Sequence, residues 1–295
     1  MHRYNPRISV VIRTIGRPCL ARALRSLDAQ HYRNLEALIV MARPTSLPAL
    51  PALETGWRLV EAGRTLDRPC AANAGLDHCR GDLIAFLDDD DEFDPRHLRS
   101  LVDCLAANPG SRVAYSATRI LGEDDAILGT IGQSFDRLVL HGRNVIQIGA
   151  ALFERSLVEA GCRFDEDMHL FQDWDFWLQA AMQTSFAFSG VDTNLWRAHA
   201  GGSGAGLGTN LDTKLTNEYR ERLLAKWAPV RARLTLRVDT LVQRVKNLRA
   251  EGRDADAEIV TTELKRLVSG NPVGRLPFPA QHSGFIARDR RAQFA

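Results

Sequence analysis

Four consecutive aspartates, Asp88 to Asp91, follow an apolar run in the sequence AFLDDDDEFDP of residues 85–95. Neighbouring carboxylates repel one another, so the cluster is costly unless a positive charge lies among them. Because side chains alternate along a strand, Asp88 and Asp90 are expected to point in one direction. Two carboxylates placed together suit Mg²⁺, which typically takes one or two of them and completes its shell with substrate phosphates. The cluster predicts a metal site for a phosphorylated ligand, while a solvated acidic turn that caps the next helix fits the same residues.

Two further groups carry residues that could do chemistry. Asp173 lies in LFQDWDFWLQAA, which is typical of a helix N-terminus with an aromatic face. Taken alone, a carboxylate there favours the helix dipole, and the tryptophans are expected to pack into the core. His199 follows Trp196-Arg197-Ala198, and a lone histidine after a strand is more often a surface or hydrogen-bonded residue.

Composition limits the classes of protein to consider. A chain of 295 residues with a net charge of +2 can bury one large or two modest cores, and it shows no charge imbalance that would indicate a nucleic-acid partner. Its five cysteines are scattered and never spaced as CxxC, which argues against a disulfide framework or a zinc knuckle. No stretch approaches the roughly 18 apolar residues that a membrane span requires. We therefore expect a cytoplasmic protein.

The first hundred residues alternate between strand and helix patterns. Short apolar runs predict strands at 8–12, 35–41, 57–60 and 83–87. Helical spacing of apolar residues follows Pro18, spans 69–79 and resumes after Pro95. This alternation predicts a parallel α/β sheet with right-handed crossovers, in which ligands bind at the carboxyl ends of the strands. The four aspartates fall at such an end.

The second half of the chain has a different pattern of predicted strands and helices. Residues 113–120 and 126–131 flank a charged turn and predict a hairpin, and 144–153 is another strand candidate. Leu234, Val238, Leu241, Val245 and Leu248 form a helical stripe of about two heptads, too short for a true coiled coil. Core packing or a homodimer contact both fit the stripe, and the apolar positions at 259–267 could fold back on it. We predict a catalytic domain at 1–210, a helical extension at 211–268 and a flexible tail at 269–295.

Two segments, RISVVIRTIGRPCLARALRSL and PCAANAGLDHCRGDLIAFLDDDDEFDP, resemble the inverting family 2 glycosyltransferases of the GT-A fold. The resemblance covers roughly residues 7–205. The segment FDED at 164–167, followed by LFQDWDFWLQAA, is similar to the family's FDE and EDWDLWLR segments, with Gln172 in place of the usual Glu.

The resemblance implies roles for particular residues. Asp173 stands where the family has the general base that deprotonates the acceptor. Asp90 would bind Mg²⁺ or Mn²⁺, Asp88 would orient the ribose or share the metal, and His199 stands where relatives complete the metal site. Thr14, Arg17 and Asn73 are the predicted donor contacts.

Three departures from the family pattern weaken the donor assignment more than the catalytic one. Ala42 and Arg43 follow the second strand, where relatives carry an acidic pair that contacts the nucleotide base. Arg13 replaces a common proline, and Ala72 replaces an arginine before Asn73. A uracil-type donor is therefore in doubt.

The resemblance implies metal-dependent, inverting transfer from a nucleotide-sugar donor to a saccharide or lipid-linked saccharide acceptor. The basic helices at 214–250 could contact an anionic membrane surface, although surface solvation also explains them. Two alternatives stay open, a non-catalytic nucleotide-sugar-binding protein and a sugar-phosphate nucleotidyltransferase. The second is disfavoured because no glycine-rich, basic loop follows the first strand.

Overall fold

The computed structural model describes residues 4–122, 124–198 and 213–269. The described residues form one mixed β-sheet with helices against it. The strands are β1 (Ile8–Thr14), β2 (Leu35–Met41), β3 (Trp57–Glu61), β4 (Leu83–Asp88), β5 (Glu92–Phe93), β6 (Ser111–Leu121), β7 (Ile127–Ile131), β8 (Ala151–Glu154) and β9 (Ser185–Arg197). The helices are α1 (Leu20–Asp28), α2 (Arg68–His78), α3 (His97–Ala107), α4 (Arg137–Leu140), α5 (Arg155–Glu159), α6 (Gln172–Ala181), α7 (Thr213–Ala250) and α8 (Asp254–Ser269).

The strand order is β3-β2-β1-β4-β8-β6-β9-β5, with β7 paired to β6. Strands β1 to β4 are parallel to one another, which confirms the α/β prediction for the first hundred residues. Strand β8 then joins β4 in the antiparallel sense. The β1–β4 register places Arg13 beside Asp88 at the carboxyl ends of both strands.

Both faces of the parallel strands are covered, which explains their almost continuously apolar sequences. Ile8, Val10 and Ile12 of β1 face a core built with α1 and α3. Val11 faces the opposite core, which contains residues of α2, α6 and the first half of α7. In α2, a Cβ on Gly75 would lie 2.3 Å from Cγ1 of Val11, so only glycine lets this helix approach β1 so closely.

The second half differs from the sequence expectation in two places. The predicted hairpin is confirmed as β6 and β7, with a register shift near Leu121. The strand predicted at 144–153 is wrong over most of its length, because a 3-10 turn at Ile148–Ala150 separates residues 144–147 from β8. Strand β9 was not predicted. Its 13 residues are interrupted by Gly190 at φ +75° and by register shifts against β6, which obscure any regular alternation of side chains.

The C-terminal helices are present as expected. Helix α8 folds back on α7, which confirms that prediction, and Leu234, Leu241 and Leu248 are buried against Ala257, Val260 and Leu267. The apolar stripe therefore packs within the chain. The first half of α7 packs into the core that also contains residues of α2 and α6. The domain boundary between residues 210 and 211 therefore stays a prediction. The tail at 270–295 lies outside the described residues. No helix in the described part of the chain combines the length and hydrophobicity needed to cross a membrane.

Candidate active site

A cavity of about 1080 Å³ lies between the carboxyl ends of β1 and β4 and the N-terminus of α6. All four aspartates of the cluster line it, and Asp173 lies across from them on α6. Thr14 and Arg17 line it as well. The fold thus brings Asp88 and Asp90 into one cavity with Asp173, which lies more than 80 residues further along the sequence.

Asp88 and Asp90 are the more accessible members of the cluster. Their side chains are 33% and 18% exposed, whereas Asp89 and Asp91 are almost fully buried. Asp88 Oδ1 accepts hydrogen bonds from Arg13 Nη2 and Nε, at 2.5 and 3.2 Å. Burial alone would raise the pKa of Asp88, but the charges of Arg13, Arg68 and Arg17 outweigh it and hold that pKa below its usual range.

The two buried aspartates have structural partners. Asp89 pairs with Arg17 and accepts a hydrogen bond of 2.5 Å from the Thr14 hydroxyl. Asp91 accepts a 3.0 Å hydrogen bond from the backbone N–H of Arg197. Burial, together with the neighbouring aspartates, raises the pKa of Asp91 well above its usual range. Asp91 therefore helps to build the cluster, whereas Asp88 and Asp90 are its more accessible members.

Arginines supply the positive charge that the aspartate cluster requires. Arg17 Nη1 pairs with Asp90 Oδ2 at 2.9 Å in addition to its pairing with Asp89. Arg68, the first residue of α2, interacts electrostatically with Asp88, Asp90 and Asp173. Arg13, which the sequence marked only as a departure from the family, is buried behind Asp88. These guanidinium groups offset the repulsion between the carboxylates.

The cluster offers a cation two carboxylates. No group of three or more His, Cys, Asp or Glu side chains suited to a metal occurs among the residues the structure describes. His199, the predicted third ligand, lies outside them. Asp88 and Asp90 nonetheless line the cavity. Mg²⁺ often takes only one or two carboxylates from a protein, and phosphates of the substrate can fill the rest of its coordination shell. The pair therefore fits a divalent cation that binds together with a diphosphate.

Asp173 lines the cavity at the start of α6 and is held by two hydrogen bonds. Its Oδ1 accepts the backbone N–H of Trp174 at 2.8 Å, and its Oδ2 accepts Asn144 Nδ2 at 2.9 Å. Burial raises the pKa of Asp173, while these hydrogen bonds partly oppose that rise. A carboxylate with a raised pKa can accept the proton of a hydroxyl group.

Backbone strain occurs immediately before this residue. Phe171 has φ +59°, a left-handed conformation that is unfavourable for a non-glycine residue. Its ring packs edge-on against Trp174 at 5.8 Å between centroids, which helps to hold the conformation. Strained residues of this kind cost about 1–3 kcal/mol and cluster at functional sites. The strain sets the point at which α6 begins and thereby aims Asp173 at the cavity.

Asn73, a predicted donor contact, lies elsewhere. Its side-chain amide donates to the Phe164 carbonyl at 2.9 Å and accepts from the Phe164 N–H at 3.0 Å. It is buried and is not among the residues that line the cavity. In this arrangement Asn73 fastens the segment that precedes α6, and direct contact with a donor remains a prediction.

Two groups of site residues were not identified from the sequence. Asn144, the partner of Asp173, was assigned to a strand and carried no local signal. Lys226 and Trp227 of α7 reach the fully buried Asp175 of α6, with Nζ–Oδ1 and Nε1–Oδ1 distances of 2.9 and 2.8 Å. Helix α7 is thereby attached to the helix that carries Asp173.

Comparison with known proteins finds relatives of this sequence. Residues 9–131 match the family model for glycosyl transferase family 2. A Bacillus subtilis protein, uncharacterized glycosyltransferase YwdF, is 27% identical over 186 residues, which cover 59% of this chain and 68% of the relative. A Mycobacterium tuberculosis protein, uncharacterized glycosyltransferase MT1564, is 30% identical over 169 residues, covering 55% of this chain and 64% of the relative.

The solved structures agree on the fold. The crystal structure of S. aureus TarS 1-349 in complex with UDP-GlcNAc superposes with a TM-score of 0.52 at 14% identity. The match covers 66% of this chain and 60% of that chain. At this identity the likeness concerns the fold, and it confirms the GT-A-like α/β architecture expected from the sequence.

Proposed function

The chain belongs to glycosyltransferase family 2 and is a transferase, and on this premise we propose that it moves a sugar from a nucleotide-diphosphate sugar to an acceptor hydroxyl with inversion. Asp173 takes the proton of the acceptor hydroxyl as its oxygen attacks the anomeric carbon. The bond between that carbon and the diphosphate breaks on the opposite face, and the nucleoside diphosphate leaves with the bonding electrons.

One observation carries the proposal. A single cavity is lined by carboxylates at the strand ends and by the half-buried Asp173, which Asn144 holds at the start of α6. An inverting transfer needs these two functions on opposite sides of the sugar, because the base and the leaving group act on opposite faces of one carbon. Hydrolysis by two flanking carboxylates would not require the cluster of arginines and aspartates that suits a diphosphate.

A divalent cation, Mg²⁺ or Mn²⁺, would be held by Asp88 and Asp90, with His199 as the further predicted ligand. When bound, such a cation stabilises negative charge that develops on a departing diphosphate. The chain's own contribution at this end of the cavity is Arg13, Arg17 and Arg68, whose charges keep the acidic cluster compact and hold the pKa of Asp88 low. Low pKa keeps Asp88 ionised and able to bind.

The donor lies along the carboxyl ends of β1 and β4 in this proposal. Thr14 and Arg17 line the cavity there and are candidate contacts together with Asp88. Arg43 also lines the cavity, at the end of β2, where the family pattern has acids. An arginine offers only hydrogen-bond donors, so we expect the base to present acceptor atoms to it. A saccharide or lipid-linked saccharide is the proposed acceptor.

The experiment is a thermal-shift panel of UDP-, GDP-, CDP- and dTDP-sugars with and without Mn²⁺. We expect one donor to raise Tm in a metal-dependent manner, because a ligand that binds only the folded state stabilises it. Asp88→Asn/Asp90→Asn should remove that response, while Arg237→Gln, a surface substitution on α7, should retain it. If no donor stabilises the wild-type protein, and none is hydrolysed, the transferase proposal fails. Formation of a nucleotide sugar from a nucleoside triphosphate and a sugar phosphate would favour a nucleotidyltransferase instead.

A further inference from the structure

The cavity is unusually rich in arginine. Among the described residues that line it, seven are arginines and six are aspartates, and none is lysine or glutamate. A guanidinium group is planar, always charged and suited to bidentate recognition of phosphate and carboxylate. Charge pairing within the cavity therefore determines which arginines remain for a ligand.

The aspartates use only some of these arginines. Arg13 pairs with Asp88, and Arg17 pairs with Asp89 and Asp90. Arg68 interacts electrostatically with Asp88, Asp90 and Asp173. Arg197 pairs with Glu92 and Asp125, which lie outside the cavity lining.

Three arginines of the lining, Arg43, Arg143 and Arg220, make no ion pair with any described residue. Arg143 Nη2 donates to Gln133 Oε1 at 2.9 Å, which is a contact with a neutral side chain. Arg43 lies at the donor side, at the end of β2. Arg143 and Arg220 belong to the other side.

Arg143 and Arg220 reach the Asp173 side from two different elements. Arg143 directly precedes Asn144, whose Nδ2 holds Asp173 Oδ2. Arg220 lies on α7, next to Tyr219, whose ring is 6.0 Å from that of His169. His169 to Asp173 is a continuous stretch of the cavity lining. Both arginines line the cavity and are exposed to solvent, so an acceptor could reach them.

We propose that Arg143 and Arg220 form a subsite for a phosphate group of the acceptor, beside the hydroxyl that Asp173 deprotonates. The inference rests on the proposed function, because it takes Asp173 to mark the acceptor side. Two guanidinium groups from separate elements favour phosphate over carboxylate, since phosphate offers three or four acceptor oxygens in different directions. The donor diphosphate is provided for separately by the residues around Asp88.

The test is a binding titration of the whole 295-residue chain by calorimetry, with Mg²⁺ present and without pyrophosphate, which would itself compete for the subsite. The probes are glucose 6-phosphate, glucuronate and glucose. The variant is Arg143→Gln/Arg220→Gln. The control is Arg233→Gln/Arg244→Gln, which removes the same charge from arginines of α7 that do not line the cavity.

We expect glucose 6-phosphate to bind at least about tenfold more tightly than glucose, a difference of about 1.4 kcal/mol. The double variant should lose this preference and the control should keep it. Equal binding of glucose 6-phosphate and glucose to the wild type would overturn the proposal, as would an equal loss in the control. Tighter binding of glucuronate than of glucose 6-phosphate would overturn the phosphate assignment and indicate a carboxylate ligand.

A second arm identifies the source of the phosphate. An isoprenyl phosphate in detergent micelles is compared with glucose 6-phosphate on the same variants. Tighter binding that depends on Arg143 and Arg220 supports a lipid-linked acceptor, and equal binding supports a water-soluble one. The two proposals can fail separately. If no donor stabilises the protein but glucose 6-phosphate still binds more tightly than glucose, the transferase proposal is wrong. If a donor stabilises the protein but glucose 6-phosphate and glucose bind equally, the subsite proposal is wrong.

Discussion

Replacing Lys226 by Met should destabilise the fold far more than loss of an ordinary surface charge. Lys226 Nζ lies 2.7 Å from Asp165 Oδ2 and 2.9 Å from Asp175 Oδ1. The Asp175 side chain is fully buried and also accepts hydrogen bonds from Trp227 Nε1 and Gln179 Nε2, each at 2.8 Å. The substitution keeps the length and packing of the side chain but removes the cation that compensates two carboxylates.

The size of the effect follows from these contacts. Removing one partner of a buried ion pair costs about 3–5 kcal/mol, because the other charge stays buried. Trp227 and Gln179 continue to donate to Asp175, so we expect a loss of about 2–4 kcal/mol. For a protein of this size, each kcal/mol lowers Tm by about 2–4 °C, which gives a decrease of about 5–15 °C.

The assay is urea unfolding followed by tryptophan fluorescence and circular dichroism, with thermal scans alongside. The matched control is Arg237→Met, which breaks a partly exposed 3.2 Å pair with Glu263 on the same helix. Exposed pairs contribute about 0–1 kcal/mol. Adding Asp175→Asn to Lys226→Met should cost less than the two single changes together, because they share one network. The reasoning is refuted if Lys226→Met is no more destabilising than Arg237→Met.

Three shorter predictions test other parts of the site. Asn144→Ala removes a donor that favours the charged form of Asp173, so the pKa of Asp173 should rise further and the acidic limb of the rate profile should move to higher pH. An unchanged limb would contradict the assignment. Asp91 has a pKa raised in the folded state, so its charged form weakens stability as pH rises. Asp91→Asn should therefore raise Tm at about pH 8 and have little effect at about pH 3, and a lower Tm at pH 8 would contradict this. Gly75→Ala would place Cβ 2.3 Å from a valine methyl carbon of β1, which should cost about 1–3 kcal/mol in urea unfolding, whereas Gly142→Ala, with its nearest neighbour at 3.5 Å, should cost less.

The sequence was sufficient for the parts of the site that lie at the ends of regular elements. The apolar run before Asp88 predicts a covered strand, and parallel strands present their carboxyl ends at one edge of the sheet. The same reasoning about a helix N-terminus predicts the position of Asp173. These placements depend on local periodicity, which a single sequence displays.

Contacts between distant segments were not predictable in this way. Arg13 and Asp88 are 75 residues apart, and their pairing depends on the register of β1 against β4. Asn144 lies in an irregular segment where neither strand nor helix periodicity applies. The burial of Asp175 against α7 depends on how a helix 52 residues further along the chain packs. Asn73 was expected to contact the donor, but its side chain hydrogen-bonds the backbone of Phe164 instead.

The most direct test of the central claim is the rate of sugar transfer by Asp173→Asn, using the donor that stabilises the wild-type protein. General-base catalysis contributes about a hundredfold to ten-thousandfold, so kcat should fall by that factor while donor affinity is unchanged. The substitution should not lower Tm, because burial raises the pKa of Asp173 and the neutral amide avoids a buried charge. A variant that transfers sugar at the wild-type rate would contradict the account.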